Sequence, residues 1–290
     1  MPGTLLSALQ TTLNGLLIGA IFSLVATGLT LIWGVVGVVN WAHAEFMMLS
    51  MYAAYWAYTL LGLDPVYTLP ANVLLMFAFG LLVYRLLISR TLDSPRVAQT
   101  LATFGLMIFL RGSAQFLWKP NYRSIGESII QGRVEFMGLF SGSPQLFAAA
   151  GAVLTTAFLY WFVVRTKTGR ALAAVAEDNE AAALMGIDRK QMYALALGIG
   201  AACAGMAGGL LSTYYYIFPG IGVVFGLMAY ITVSLGGFGS IPGAMLGGLV
   251  SGLVMVWGGA IIGPAYKYAV VFVVYLIVVL VRPQGLMGEA

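Results

Sequence analysis

Apolar segments of membrane-crossing length, separated by short polar turns, recur along this chain from one end to the other. A helix that spans the hydrocarbon core needs about 20 mainly apolar residues. Segments at 13–36, 45–62, 69–88, 97–118, 146–164, 193–216, 221–236, 243–262 and 265–281 meet or approach that length. Inside a bilayer every backbone N–H and C=O needs a partner within the protein, so only helices and closed barrels span it. The segments lack the alternating pattern of about ten residues that marks a barrel strand. Helices are therefore expected and strands are not. The segment at 221–236 is short and flanked by glycine, which sets the expected number of spans at eight or nine. Residues 4–12 are expected as a separate short helix lying in the interface.

Composition agrees with this reading. Of the 290 residues, 61% are hydrophobic and 8% charged, and mean hydropathy is +0.95. A soluble domain carries about 25% charged residues, so most of this surface must face lipid. The expected fold is an all-α polytopic membrane protein, one domain over 1–290. The net charge of +4 is not a nucleic-acid signal, because the basic residues sit at segment ends rather than in one patch. Counted over nine spans, Arg85, Arg90, Arg96, Arg165, Lys167, Arg170, Arg189, Lys190 and Arg282 fall at one side. Lys119, Arg123, Arg133 and Lys267 fall at the other. The richer side is cytoplasmic by the positive-inside rule, which makes 165–192 a cytoplasmic loop and 119–145 an extracytoplasmic one. No basic stretch precedes the first apolar segment, so that segment is expected to direct insertion without a cleaved signal. The single Cys203 lies among Ala and Gly and reads as a small packing residue.

Two stretches carry unusual chemistry. The first is Gly34-Val-Val-Gly-Val-Val-Asn40-Trp-Ala-His43-Ala-Glu45, which holds the chain's one histidine. Burying such groups without partners costs several kcal/mol. One reading is a discontinuous helix at membrane depth lining a solute route, with Asn40 and His43 satisfying free backbone groups and Glu45 early in the next helix. The other is a cytoplasmic turn with an Asn-capped helix and a solvated Glu45. Arg111 lies late in the fourth span. Facing inward it would attract a carboxylate. Snorkelling outward it would be a headgroup anchor, which the nearby Lys119 favours.

The second stretch is the charged loop at 165–192. Arg165-Thr-Lys-Thr-Gly-Arg170-Ala-Leu-Ala-Ala-Val-Ala and Glu177-Asp-Asn-Glu180-Ala-Ala-Ala-Leu184-Met-Gly186 read as two short helices. Thr168 is the expected cap of the first, Asp178 or Asn179 of the second, and Gly186 its stop. The second helix has acids in its first turn and then a smooth Ala/Leu/Met face. Such a helix suits a groove in another protein, anchored by Leu184 and Met185.

With these residues in view, the chain resembles the permease subunits of branched-chain amino acid ABC importers, the high-affinity leucine/isoleucine/valine type. The likeness runs through Leu13-Asn14-Gly15-Leu16, Asn40-Trp-Ala-His43-Ala-Glu45, Thr166-Lys-Thr-Gly-Arg170, Ala176-Glu177-Asp178, Gly186-Ile187 and Arg282-Pro-Gln-Gly-Leu286. Trp41 stands where the family has Phe, and Ala44 where it has Gly. Glu180-Ala181-Ala182 followed by Gly186 matches the coupling loop of ABC importer permeases, without the Leu-Pro that ends it there. The resemblance implies a place in a bacterial or archaeal cytoplasmic membrane, a homologous second permease subunit, two cytoplasmic ATPases that bind the ATP, and an extracytoplasmic substrate-binding protein. On this reading the translocation path carries Asn14, Asn40, His43, Glu45 and Arg111. Coupling to the ATPases falls to Arg170, Glu177, Asp178, Glu180, Ala181, Ala182, Leu184 and Gly186. No cofactor is expected on the chain itself.

Other classes fit less well. Relatives in the same family move urea, short amides or aromatic acids, which leaves the solute open. A stand-alone channel needs no coupling loop, and a secondary carrier needs more ionisable groups within its spans. An enzyme is disfavoured: there is no His-Glu-x-x-His pattern, one histidine cannot build a multi-His metal site, and no nucleotide-binding loop is present. His43 and Glu45, two residues apart on a helix, point to different faces.

Overall fold

The computed structural model describes residues 2–126 and 128–287, with side chains from residue 5 onward. Its helices are α1 (Pro2–Val36), α2 (His43–Leu61) and α3 (Pro65–Val83), the last continuing through a wider π-type turn at Tyr84–Ile88 into α4 (Ser89–Thr91). Then follow α5 (Arg96–Trp118), α6 (Ser143–Arg165), α7 (Lys167–Glu177), α8 (Asn179–Leu184), α9 (Arg189–Leu211), α10 (Ile221–Gly236), α11 (Ile241–Ile261) and α12 (Lys267–Val281). Among the described residues, seven helices are long and apolar enough to cross a membrane. Two more run through the bundle but stand outside that set: α2, with His43 and Glu45 in its first turn, and α10, which is 16 residues long. This is a multi-pass membrane protein whose membrane-crossing elements are all helices.

Two departures from the sequence reading concern the N-terminal segment and the loop before α6. Residues 4–12 are not a separate interfacial helix, because α1 runs unbroken for 35 residues. Nothing in Thr4–Thr12 stops a helix, and the extra length has a partner to grip. Gln10 donates to the carbonyl of Phe140 (2.7 Å) and accepts from its N–H (2.8 Å). Phe140 belongs to a small antiparallel hairpin, β1 (Arg133–Phe136) with β2 (Leu139–Gly142). Its tight turn places Met137 and Gly138 at φ 51 and 80, the left-handed pair that two-residue hairpins need.

The bundle has two chemically distinct ends, here called the hairpin end and the α7–α8 end. The structure sorts the basic residues into the same two groups as the sequence did. Arg133 and Lys267 lie at the hairpin end, while Arg165, Arg170 and Arg189 lie around α7 and α8.

Helix α1 is the central post. From Ala20 to Ile32 every residue is buried, as suits a helix apolar all round. Lipid supplies no hydrophobic drive between helices, so close approach of small residues must do the packing. At the seam with α11, a Cβ on Gly252 would lie 2.4 Å from the Gly15 carbonyl, and one on Gly248 would lie 2.3 Å from Ser23 Oγ. Ser23 adds a hydrogen bond to the Met245 carbonyl (2.8 Å). Helices α9 and α3 meet in the same way, and most of the chain's helical glycines serve such contacts. By contrast α5 and α12 keep most of their surface outside the bundle.

Candidate functional site

Helix α1 ends at Val36 because Gly37 adopts φ 71 and turns the chain out of the helix. The next residues do not leave for the solvent. They run back along the bundle without helical structure, and α2 begins at His43. His43 Nε2 lies 3.0 Å from the carbonyl of Val25. A carbonyl only accepts, so Nε2 carries the proton and donates. Val25 precedes the end of α1 by eleven residues, so the restart of the chain sits about 16 Å inside that end at 1.5 Å per residue. Non-helical backbone at such depth is tolerated where protein or a cavity supplies its partners. Here Asn40 Oδ1 accepts from Ala42 N–H (3.2 Å), and the Val39 carbonyl accepts from Thr103 on α5 (2.7 Å).

Of the two readings of this stretch, the geometry matches the buried break and not the exposed turn. Asn40, His43 and Glu45 are each 1% exposed, so Glu45 is not solvated. His43 faces α1, where its ring packs against Gly28. Glu45 faces the opposite way, toward α5 and α10. There Arg111 donates through both Nε (3.1 Å) and Nη2 to Glu45 Oε1. The anchor reading of Arg111 is therefore corrected: the side chain turns inward because a partner of opposite charge waits at the same depth. Lys119, eight residues on, stays outside and is exposed.

A layer of aromatic rings lies about two helical turns from the pair, toward the α7–α8 end. Trp41 stands between Phe104 of α5 (6.2 Å between centroids) and Tyr230 of α10 (4.8 Å). The result is a groove between α5 and α10, floored by residues 39–45. A charged pair sits in it, with the three rings beside the pair. Gly222 of α10 completes the floor, since a Cβ there would lie 2.6 Å from Glu45 Oε2. Phe104, Tyr230 and Gly222 escaped the sequence reading. The Gly222-x-x-x-Gly226 spacing marks a close helix contact, but nothing in it names Glu45 as the neighbour. Asn14 stands apart from this group. It lines a separate cavity of about 630 Å³ at the hairpin end, with Gln10, Gln145, Arg133 and Tyr215, and accepts a hydrogen bond from Gln10 (3.1 Å).

The 165–192 loop forms a helical pair. Its first cap is Thr166 rather than Thr168: Thr166 Oγ1 accepts from Gly169 N–H (2.9 Å). Gly169 explains the choice of residue, because it lies against the Phe162 carbonyl with no room for a side chain. Asp178 caps α8, accepting from Glu180 N–H (2.9 Å) and Ala181 N–H (3.0 Å). Gly186 stops it at φ 83. Leu172, Val175 and Ala182 hold the pair to the bundle. Arg170, Glu177, Glu180 and Ala181 are exposed, and Leu184 and Met185 stand 89% and 83% exposed at the tip.

Comparison with known proteins gives the same picture. The family described as "Branched-chain amino acid transport system / permease component" matches residues 11–280. The chain is 34% identical to the high-affinity branched-chain amino acid transport system permease protein BraD of Pseudomonas aeruginosa, over 97% of this chain and 96% of that one. It is 32% identical to the corresponding LivH protein of Salmonella typhimurium, over 97% and 96%. The probable LivH protein of Methanocaldococcus jannaschii is 26% identical over 91% and 88%. No solved structure matches significantly. With its length matched almost end to end, this chain belongs to the family of permease components of branched-chain amino acid transport systems.

Proposed function

We propose that the chain is one membrane-spanning subunit of an ATP-driven importer for branched-chain amino acids. Its relatives' names supply the solute class. The observation that carries the ATP-driven part is the α7–α8 tip, where Leu184 and Met185 stand bare beside a capped, rigid helix. An apolar pair held in that way, on the most charged loop of the chain, suits docking against another protein, which a channel acting alone does not need.

In this reading the α7–α8 end is cytoplasmic, and Arg170, Glu177, Asp178, Glu180, Ala181, Ala182, Leu184 and Gly186 form the element on which an ATPase subunit docks. A second, homologous permease closes the groove between α5 and α10 from its open side. Two ATPases and an extracytoplasmic binding protein complete the assembly. The solute passes along the groove beside Asn40, Glu45 and Arg111. His43 acts one layer back by fixing the restart of α2 against α1, and Asn14 belongs to the vestibule at the hairpin end. Closure of the ATPases moves the α7–α8 pair, and α6 and α9, continuous with it, carry the motion into the bundle.

Substituting Glu180→Lys or Gly186→Trp tests the coupling assignment. Both variants insert normally, since both positions are exposed and outside the membrane-crossing helices, but ATP hydrolysis no longer drives uptake. Normal uptake by both would sink the assignment.

A further inference from the structure

The charged pair in the groove keeps unused bonding capacity on both partners. Arg111 directs Nε and Nη2 at a single oxygen, Oε1 of Glu45, whereas a guanidinium has five N–H donors. Its side chain is 24% exposed. Glu45 is 1% exposed, yet its Oε2 has no hydrogen-bond partner. A tie serving only to hold α5 would favour the parallel two-bond form that engages both oxygens, because a buried acceptor left unpaired is costly. The whole carboxylate lies against Gly222, where a Cβ would come within 2.6 Å of Oε2 and 2.7 Å of Oε1. Helix α10 begins beside Gly220 and ends at Gly237, with φ 105, followed by Gly239, with φ 82.

Resting on the proposed import of amino acids, we propose that Arg111 and Glu45 form an occluded site for the zwitterionic head of an α-amino acid. The solute carboxylate takes the free N–H groups of Arg111. The solute ammonium takes Glu45 Oε2 once Gly222 withdraws. The apolar side chain lies on the Trp41–Phe104–Tyr230 layer. Four charges then alternate in sign and sum to zero, so no net charge enters the membrane interior. A carboxylate alone leaves Oε2 unpaired, and an amine alone leaves Arg111 half used. The groove thus selects the zwitterion a second time, after any binding protein has done so.

The test is protection from alkylation in the importer complex purified with this chain, without its binding protein. The chain carries Val223→Cys, beside Gly222, in a Cys203→Ala background. Leucine at about ten times its Kd slows alkylation about tenfold, in proportion to the free fraction of the site. 4-Methylpentanoate, which lacks the ammonium, and 3-methylbutylamine, which lacks the carboxylate, do not. Adding Glu45→Gln abolishes protection by leucine. The paired Glu45→Gln/Arg111→Gln variant, which leaves no charge buried alone, abolishes it too. ATP-driven leucine uptake by the same complex, reconstituted with its binding protein, separates two failures. Uptake with no protection, with equal protection by all three compounds, or with protection surviving in both variants overturns this site and leaves import standing. Absence of both uptake and protection overturns the import reading as well.

Discussion

Truncating the α7–α8 tip with the double substitution Leu184→Ala/Met185→Ala separates docking from folding. Both side chains are more than four-fifths exposed, so the free subunit loses almost nothing when they are cut back. In a docked complex they are buried, and each substitution removes about three carbon-sized groups. At about 0.8 kcal/mol per buried methylene, each is worth about 2.4 kcal/mol and, with part of the area still in water, the pair roughly 4 kcal/mol. Each 1.4 kcal/mol is a tenfold change, so ATPase binding weakens by about a thousandfold. The assay is titration of the purified ATPase subunit onto the detergent-solubilised permease, with thermal unfolding of the permease as control. Affinity falls steeply while the melting midpoint stays within a degree or so. Unchanged affinity would refute the assignment of the tip. A lowered melting midpoint would refute the premise that these side chains touch nothing in the free subunit.

Three further outcomes follow from the packing. Gly252→Val forces a side chain into the Gly15 backbone and destabilises the α1–α11 seam by about 3 kcal/mol, read as a drop in the thermal midpoint by fluorescence-detected size exclusion. Asp178→Ala removes the two-bond cap of α8 at a cost of about 1 kcal/mol, so amide exchange in α8 quickens about fivefold while the global midpoint holds. Cys203, 4% exposed within α9, reacts with a maleimide only after denaturation. Rapid labelling of the native protein would contradict the placement of α9.

The helices were readable from sequence because apolar length is a strong signal. The span limits at 97–118 and 221–236 fall within a residue or so of α5 and α10. Caps were readable where the side chain decides locally, as at Gly186 and, to within one residue, at Asp178, which the sequence offered beside Asn179. Thr166 was mistaken for Thr168 because the deciding fact is tertiary: Gly169 must lie against the Phe162 carbonyl, and that sets where α7 starts. The hairpin at Arg133–Gly142 was invisible for a similar reason. Its turn is Met137-Gly138 rather than Asn-Gly, and its anchor, Gln10, is far away in sequence. Part of the candidate site was legible, since Asn40, His43 and Glu45 share one short polar stretch and Arg111 was named for the path. The pairing was not. Arg111 meets Glu45 across 66 positions, and no local pattern says which way an arginine near a helix end will turn. Gly222 and Tyr230 come from a helix whose sequence shows only packing.

The central claim is that this chain works inside an ATP-driven import complex. Affinity purification of the tagged chain from mild detergent, with mass spectrometry of its companions, tests that claim most directly. The account predicts a homologous permease and ATPase subunits in stable association with it. A chain that purifies alone across several mild detergents, stable and without ATPase partners, would contradict it.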